Sequence, residues 1–414
     1  MAASAMSARA HVAPAASSLN AARRGRASST APARRARRVS TTPRASIADL
    51  PKDNASVKVL VVGGTGYIGK FVVRELCAQG YDVTAFVREK SGIGGKSGKE
   101  DARRTFPDAT VKFGSVSDVA SIRGDAFGDA DGAFDVVVSC LASRTGGIKD
   151  SWDVDYQATK NVLDVAREKG AKHFVLLSAI CVQKPLLTFQ KARSYSHRSP
   201  YDRVGVVNAA KLKFEEELAA ASSEISHSIV RPTAFFKSLA GQVESVQKGG
   251  PYVMFGDGQL ASCKPISERD LAKYMAECIR DPKLENKILP IGGPGEAMSA
   301  LQQGTMLFEI LGMEPKFIKV PIEVMDGVIK VLDTFAGFFS NMRDAAEFGK
   351  IGRYYAAESM LVLDDEKSDA EKDEWVYDAS KTPSYGTDTL GDFFKKVSVE
   401  GLAGQELGDQ AVFK

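Results

Sequence analysis

The residues best suited to chemistry form one short run, Gly63-Gly64-Thr65-Gly66-Tyr67-Ile68-Gly69, directly after Val61-Val62. It reads as GxxGxxG from Gly63 or as GxGxxG from Gly64. Glycines so spaced permit a tight turn, let backbone N–H groups approach a pyrophosphate, and let a helix pack closely on a strand. Phosphates at such a turn sit at the positive end of the helix. The alternative is a glycine turn with no ligand. It loses weight because the run leaves an apolar strand and opens an amphipathic helix. A dinucleotide site that prefers NAD places an acid about 20 residues further on, at the ribose hydroxyls. This chain has Val87-Arg88-Glu89-Lys90 there. A guanidinium suits a 2′-phosphate bidentately, so Arg88, with Lys90 beside it, points to NADPH. Ser91–Glu100 reads as a flexible basic loop near that phosphate; Gly95-Lys96-Ser97 is no P-loop, because Lys90 stands where its first glycine belongs.

Two further residues stand where a reaction would occur. Ser178 follows an apolar strand, at the place where short-chain dehydrogenases and reductases carry a serine that orients substrate; the alternative is a strand-end hydroxyl capping local backbone. Those enzymes also carry Tyr-x-x-x-Lys on the helix that follows, and here Val207 stands four residues before Lys211. Without the tyrosine the carbonyl-to-alcohol proton relay is missing, which favours reduction of a carbon–carbon double bond. A conjugated system then holds the charge after hydride arrives, and a lysine or water protonates it. Lys211 is expected to hold the nicotinamide ribose and favour that charge electrostatically. His173 and His227 flank strand runs and read as strand-edge imidazoles, so no metal site is expected.

The elements that must position these residues follow from periodicity. Apolar strand runs lie at Val57–Val62, Asp82–Val87, Thr110–Phe113, Phe134–Cys140 and His173–Leu177, with Ser228–Val230 and Lys287–Ile291 as further candidates. Helices fall between them at Tyr67–Gln79, where Ile68, Val72 and Leu76 share a face, and at Asp155–Lys169. Strand then helix with short connections implies a doubly wound α/β fold with a parallel sheet, a Rossmann domain. Its expected span is 55–235, with 236–414 supplying the remaining fold elements, a smaller substrate-covering lobe and a tail. Val320–Phe339 reads as a helix whose polar positions Glu323, Asp326, Lys330 and Asp333 form one stripe. It is either a membrane-surface or ligand-covering helix or an ordinary core helix with one wet stripe.

Composition sets outer bounds. The chain has 414 residues and five cysteines, none in a CxxC pair, which excludes a disulfide scaffold and a cysteine zinc site. No run of 18 apolar residues is present, so a spanning helix is excluded. The net charge of +3 is misleading, since residues 1–48 hold nine arginines, no lysine and no acid. Without them, 46 basic residues face 52 acids, a net of −6, which argues against a nucleic-acid partner. The Arg- and Ser-rich, acid-free residues 1–48 have the composition of an organellar transit peptide. A disordered basic tail is the alternative.

Seven stretches carry a resemblance to a known family: VVGGTGYIGKFVV (61–73), REKSGIGGK (88–96), DVVVSCLASRTGGIKDSW (135–152), AKHFVLLSAICVQKPLL (171–187), SIVRPTAFFKSL (228–239), PYVMFGDGQ (251–259) and EFGKIGRYYAAESML (347–361). The chain resembles the divinyl chlorophyllide 8-vinyl-reductases, atypical short-chain reductases with an NmrA-like, isoflavone-reductase-like NADPH-binding fold. The resemblance implies NADPH-dependent reduction of the 8-vinyl group of a divinyl chlorophyllide or protochlorophyllide to ethyl, in a chloroplast. It makes the leader a chloroplast transit peptide and implies peripheral contact with a thylakoid or envelope membrane. Other readings are an isoflavone-reductase-like enzyme for another plastid substrate and a non-catalytic NADP-binding regulator. The chain departs from the family in one place. Phe189-Gln190-Lys191-Ala192, which the family runs directly into Lys-Leu-Lys-Phe-Glu, is separated from Lys211 by the eighteen residues Arg193–Ala210. Their polar, aperiodic character predicts a loop with little contact to the core.

Overall fold

The computed structural model describes residues 45–90, 98–129, 133–144, 148–183, 204–335, 340–369 and 374–401. The leader up to Arg44, residues 91–97 of the basic loop and residues 193–203 lie outside them.

Seven strands build one parallel sheet: β1 Lys58–Val62, β2 Asp82–Val87, β3 Thr110–Phe113, β4 Val136–Ser139, β5 His173–Leu177, β6 Ser226–Pro232 and β7 Lys287–Ile291. Their order is β3-β2-β1-β4-β5-β6-β7, so the strand order reverses between β1 and β4, the place where such sheets open a ligand crevice. Strand side chains alternate between faces. Val59 and Val61 therefore join one core with Ile68, Val72 and Leu76 of helix α1 (Tyr67–Ala78). Leu60 and Val62 join the other core on the opposite face, with Val162 and Val165 of the helix Thr159–Glu168. The expected doubly wound α/β fold is borne out.

The longer remaining helices are α2 Lys99–Thr105, α3 Thr159–Glu168, α4 Val204–Ala220, α5 Glu268–Glu277, α6 Ala300–Leu311, α7 Ile322–Phe335, α8 Ser340–Ala357 and α9 Leu390–Glu400. Helix α5 returns to the sheet, placing Leu271 and Met275 in the core of α1. A third core, holding Phe236, Tyr252, Leu307, Phe308 and Phe394, belongs to the C-terminal lobe.

Four expectations need correction. Ile47 and Leu50 are buried in the first core, and the Ile47 N–H donates to Glu285 Oε1 at 2.8 Å. The folded body thus begins by Ser46, ahead of the expected boundaries at 48 and 55, because these two apolar side chains find cover. The helix expected at Asp155–Lys169 starts earlier: Ile148–Asp150 is helical and Ser151–Ala158 is wound as a π-helix leading into α3. The segment Arg193–Ala210 is not all loop. Its residues from Val204 form the first turns of α4, and Ala209 and Ala210 are buried; small apolar side chains next to a strong helix former extend the helix. On α7 the wet stripe holds only in part: Glu323 and Lys330 are exposed, but Asp326 pairs with Arg353 of α8, and Val324, Val328 and Val331 are more than half exposed as well.

His173 is a structural imidazole. Its Nδ1 and Nε2 bond the hydroxyls of Ser226 (2.8 Å) and Ser228 (3.2 Å), and burial, with His227 nearby, pushes its pKa down to about 3.

Candidate active site

The glycine run forms the turn between β1 and α1. Gly63 has φ +76°, and a Cβ on it would stand 2.5 Å from the Cys140 carbonyl oxygen at the end of β4. A Cβ on Gly69 would stand 2.2 Å from the Gly63 oxygen. These two glycines are thus required by the turn and by its close approach to β4. Gly64 packs against Val73 of α1, while Gly66 is exposed and caps the helix. No side chain caps α1 and no acid stands in its first turn. The N–H groups of Tyr67, Ile68 and Gly69 have no acceptor within the helix. An uncapped positive helix end beside the sheet's reversal point fits a dinucleotide pyrophosphate. Thr65 flanks the turn, half-buried. The Tyr67 hydroxyl is buried without a hydrogen-bond partner among the described residues, and the ammonium of buried Lys237 lies 4.6 Å from its ring.

At the end of β2, Arg88, Glu89 and Lys90 are exposed. Glu89 pairs with Lys99 of α2 at 2.7 Å. Desolvation, and then Arg144 nearby, push the Arg88 pKa down. Arg144 sits in the loop after β4, its N–H bonded to Asp150 at 2.7 Å. The Asp150 carboxylate nearby offsets part of this repulsion.

The reaction candidates sit after β4 and β5. Lys211, on α4, pairs with Asp155 Oδ1 at 2.7 Å, and the Asp155 side chain is fully buried. The same oxygen accepts the Ser143 N–H at 3.3 Å from the loop after β4, which ties Lys211 to the crevice edge. Asp155 Oδ2 is buried with no partner among the described residues. Ser178 is also buried, and its hydroxyl donates to Glu215 of α4, which a bidentate Arg231 holds at 3.1 and 3.2 Å through Nε. Lys213 faces away, toward Glu217 at 3.5 Å. The structure therefore groups Lys211 with Asp155 and ties Ser178 into a separate buried network with Glu215 and Arg231.

Sequence reasoning missed Asp155, Arg144, Glu215 and Arg231. Only the π-wound stretch around Asp155 carries a local mark of function, and no periodicity argument reveals it.

Comparison with known proteins agrees with this geometry. Residues 63–282 match the NAD(P)H-binding family. Two solved structures share the fold. NADPH-dependent quinone oxidoreductase QOR2 from Escherichia coli, complexed with NADPH, has a TM-score of 0.52 at 14% identity, over 82% of this chain and 99% of that one. AtPrR2 with NADP+ and (+)-pinoresinol has a TM-score of 0.54 at 19% identity, over 82% and 98%. The nucleotide-binding half of the site is thus a nicotinamide dinucleotide site. Much nearer in sequence are the chloroplastic divinyl chlorophyllide a 8-vinyl-reductases of Cucumis sativus and Arabidopsis thaliana. The first is 57% identical over 88% of this chain and 80% of its own, the second 56% over 87% and 80%. The enzyme of Zea mays is 55% identical over 86% and 82%. With the nicotinamide cradle in place and this identity sustained across the folded body, the chain belongs to the divinyl chlorophyllide a 8-vinyl-reductase family.

Proposed function

We propose that the chain reduces the 8-vinyl group of divinyl chlorophyllide, or of its protochlorophyllide form, to ethyl in chlorophyll biosynthesis, in the chloroplast, with NADPH. One observation carries the reading. In a chain of this family, Lys211 is held by Asp155 at the crevice that the glycine cradle opens, without the tyrosine that a carbonyl reductase needs. Bound, the reduced nicotinamide supplies the hydride.

The chain's residues bind and orient. Gly63, Gly64, Thr65, Gly66, Tyr67, Ile68 and Gly69 receive the pyrophosphate. Arg88, with Lys90 and Arg144, takes the 2′-phosphate, which favours NADPH over NADH. Lys211 holds the nicotinamide ribose with Asp155 as its counter-ion, and Ser178 positions the wall of the site through Glu215. The valine stripe of α7 supports a peripheral lipid contact; no described helix is long and apolar enough to cross a membrane.

The test is incubation of the purified protein with divinyl chlorophyllide and NADPH. Removing a vinyl group from conjugation shifts the pigment's absorbance to shorter wavelength, and an unchanged spectrum with both ligands bound would overturn the reading. Flotation with anionic vesicles, lost on replacing Val324, Val328 and Val331 by serine, tests the lipid contact.

A further inference from the structure

The turn that follows Ser178 carries a side chain that holds the C-terminal lobe to the edge of the crevice. Residues Ile180–Gln183 leave the carboxyl end of β5, which pairs with β4 beside the strand-order reversal. The turn is fixed to the body. Ile180, Cys181 and Val182 are buried, and the Ser178 N–H donates to the Val230 carbonyl at 2.7 Å. Gln183 closes the turn. Its Nε2 donates to the Leu361 carbonyl at 2.6 Å, and its Oε1 accepts the Leu363 N–H at 3.0 Å. Bonding a carbonyl and an N–H two residues apart is what a parallel neighbouring strand does. The amide thus stands in for a strand. Met360–Leu363 turns its other edge to the lobe: the Met360 N–H donates to the Ser262 carbonyl at 2.9 Å, and the Val362 N–H to Thr382 Oγ1 at 2.9 Å. This clamped segment follows α8, which packs on α4, the helix of Lys211, and whose Arg353 pairs with Asp326 of α7.

We propose that Gln183 is a positioning residue of the vinyl reduction: its amide sets where the α7–α8 hairpin lies over the crevice, and so how the pigment fits. This rests on the reading of the chain as a vinyl reductase. With the dinucleotide on the glycine cradle, the pigment takes the space beneath the C-terminal lobe. A tetrapyrrole is broad, flat and stiff, so the place of its vinyl group depends on where that lobe stops it. Positioning errors of about an ångström can cost on the order of a hundredfold in rate. An amide suits the task, because its donor and acceptor are fixed in one plane and bring no charge to an apolar ligand. Leucine at this position keeps the bulk and leaves both backbone groups without the amide. Glutamate keeps one acceptor but sets its second oxygen against the Leu361 carbonyl. The lobe also holds a chemical twin. Gln242 bonds the Val253 carbonyl at 2.8 Å through Nε2 and the Val253 N–H at 2.6 Å through Oε1. It makes the same pair of bonds without the link to the Ser178 turn.

The experiment compares wild type, Gln183→Leu, Gln183→Glu and Gln242→Leu. Steady-state kinetics with divinyl chlorophyllide and NADPH is measured beside Tm and equilibrium NADPH binding to the pigment-free proteins. Gln183→Leu should raise the pigment KM at least tenfold, with NADPH binding within threefold of wild type. Gln242→Leu should lower Tm yet keep the pigment KM within twofold, since its bonds lie inside the lobe. Gln183→Glu regains the donor when protonated. Its pigment KM, taken relative to wild type at the same pH, should fall at least threefold from pH 8 to pH 5. That variant serves if Gln183→Leu does not fold. A pigment KM within twofold of wild type in folded Gln183→Leu, or a flat KM ratio in Gln183→Glu, overturns the assignment and leaves the vinyl-reductase reading intact. An equal loss of NADPH binding in Gln183→Leu also overturns it, because the crevice as a whole is then disturbed. Wild type that binds both ligands and leaves the pigment spectrum unchanged overturns the vinyl-reductase reading, and the role of Gln183 falls with it.

Discussion

Replacing Lys211 by methionine separates a catalytic lysine from a structural one. The substitution strands the fully buried Asp155 carboxylate, whose other contact is the Ser143 N–H at 3.3 Å. Breaking a buried pair from one side costs about 3–5 kcal/mol, and Lys211 is only 17% exposed, so solvent offsets little of it. Urea denaturation of Lys211→Met should show a loss in that range. Adding Asp155→Asn removes the stranded charge and should restore at least half of it, since the two effects are strongly coupled. Turnover should behave differently. If Lys211 holds the ribose and steadies developing charge, kcat falls about 100-fold, near 2.7 kcal/mol of barrier, and the second substitution does not recover it. A double variant that regains both stability and turnover would show that the lysine only neutralises Asp155. Turnover of Lys211→Met within a factor of about two, below 0.5 kcal/mol, would place the catalytic cation elsewhere.

Much of the scaffold is legible in the sequence because strand and helix signals are local. The seven strand runs emerge within two residues of their observed bounds; β6 is two residues longer at each end. Glycines at 63, 66 and 69 announce the turn they make. The active site is less legible because it is assembled from contacts distant in sequence. Asp155 meets Lys211, and Ser178 meets Glu215, only after α4 has packed. An acid in a helix carries no sign of its partner. Helix α7 shows the converse failure. Its charges were expected to face water, yet the pairing of Asp326 with Arg353 holds one of them inward and turns valines out. A salt bridge between neighbouring helices outweighed the simple rule that polar residues face solvent.

Arg88→Asp should weaken NADPH by about 1–3 kcal/mol through loss of a charge-assisted pair and barely change NADH; equal losses by fluorescence titration would refute the 2′-phosphate assignment. Gly63→Ala puts a Cβ 2.5 Å from the Cys140 oxygen at φ +76° and should cost about 3 kcal/mol or more, read as a lower Tm and lost nucleotide binding. His173, folded near pKa 3 against 6.5 ordinarily, is neutral in both states above pH 6.5, where its contribution to stability is complete. Between pH 6.5 and 3 the unfolded chain binds the extra proton, so stability falls by about 1.4 kcal/mol per pH unit, roughly 2 kcal/mol by pH 5; His173→Gln should flatten that slope in pH-dependent urea melts. The last prediction concerns the segment that separates this chain from its family. Deleting residues 193–210 removes the first turns of α4 but brings Phe189-Gln190-Lys191-Ala192 directly before Lys211. Ala192 then replaces the fully buried Ala210 without change, and the incoming residues are free to wind as helix. The misfit is Lys191, which lands where Ala209 is 4% exposed. Its stem can run along the apolar surface and carry the ammonium out to water, at a cost of order 1–2 kcal/mol. The deleted chain should therefore fold and reduce the pigment at least as fast as the full one, with a urea midpoint that rises when Lys191→Ala is added. A deleted chain that fails to fold with either residue would show that Val204–Ala210 supplies helix turns which the upstream residues cannot rebuild.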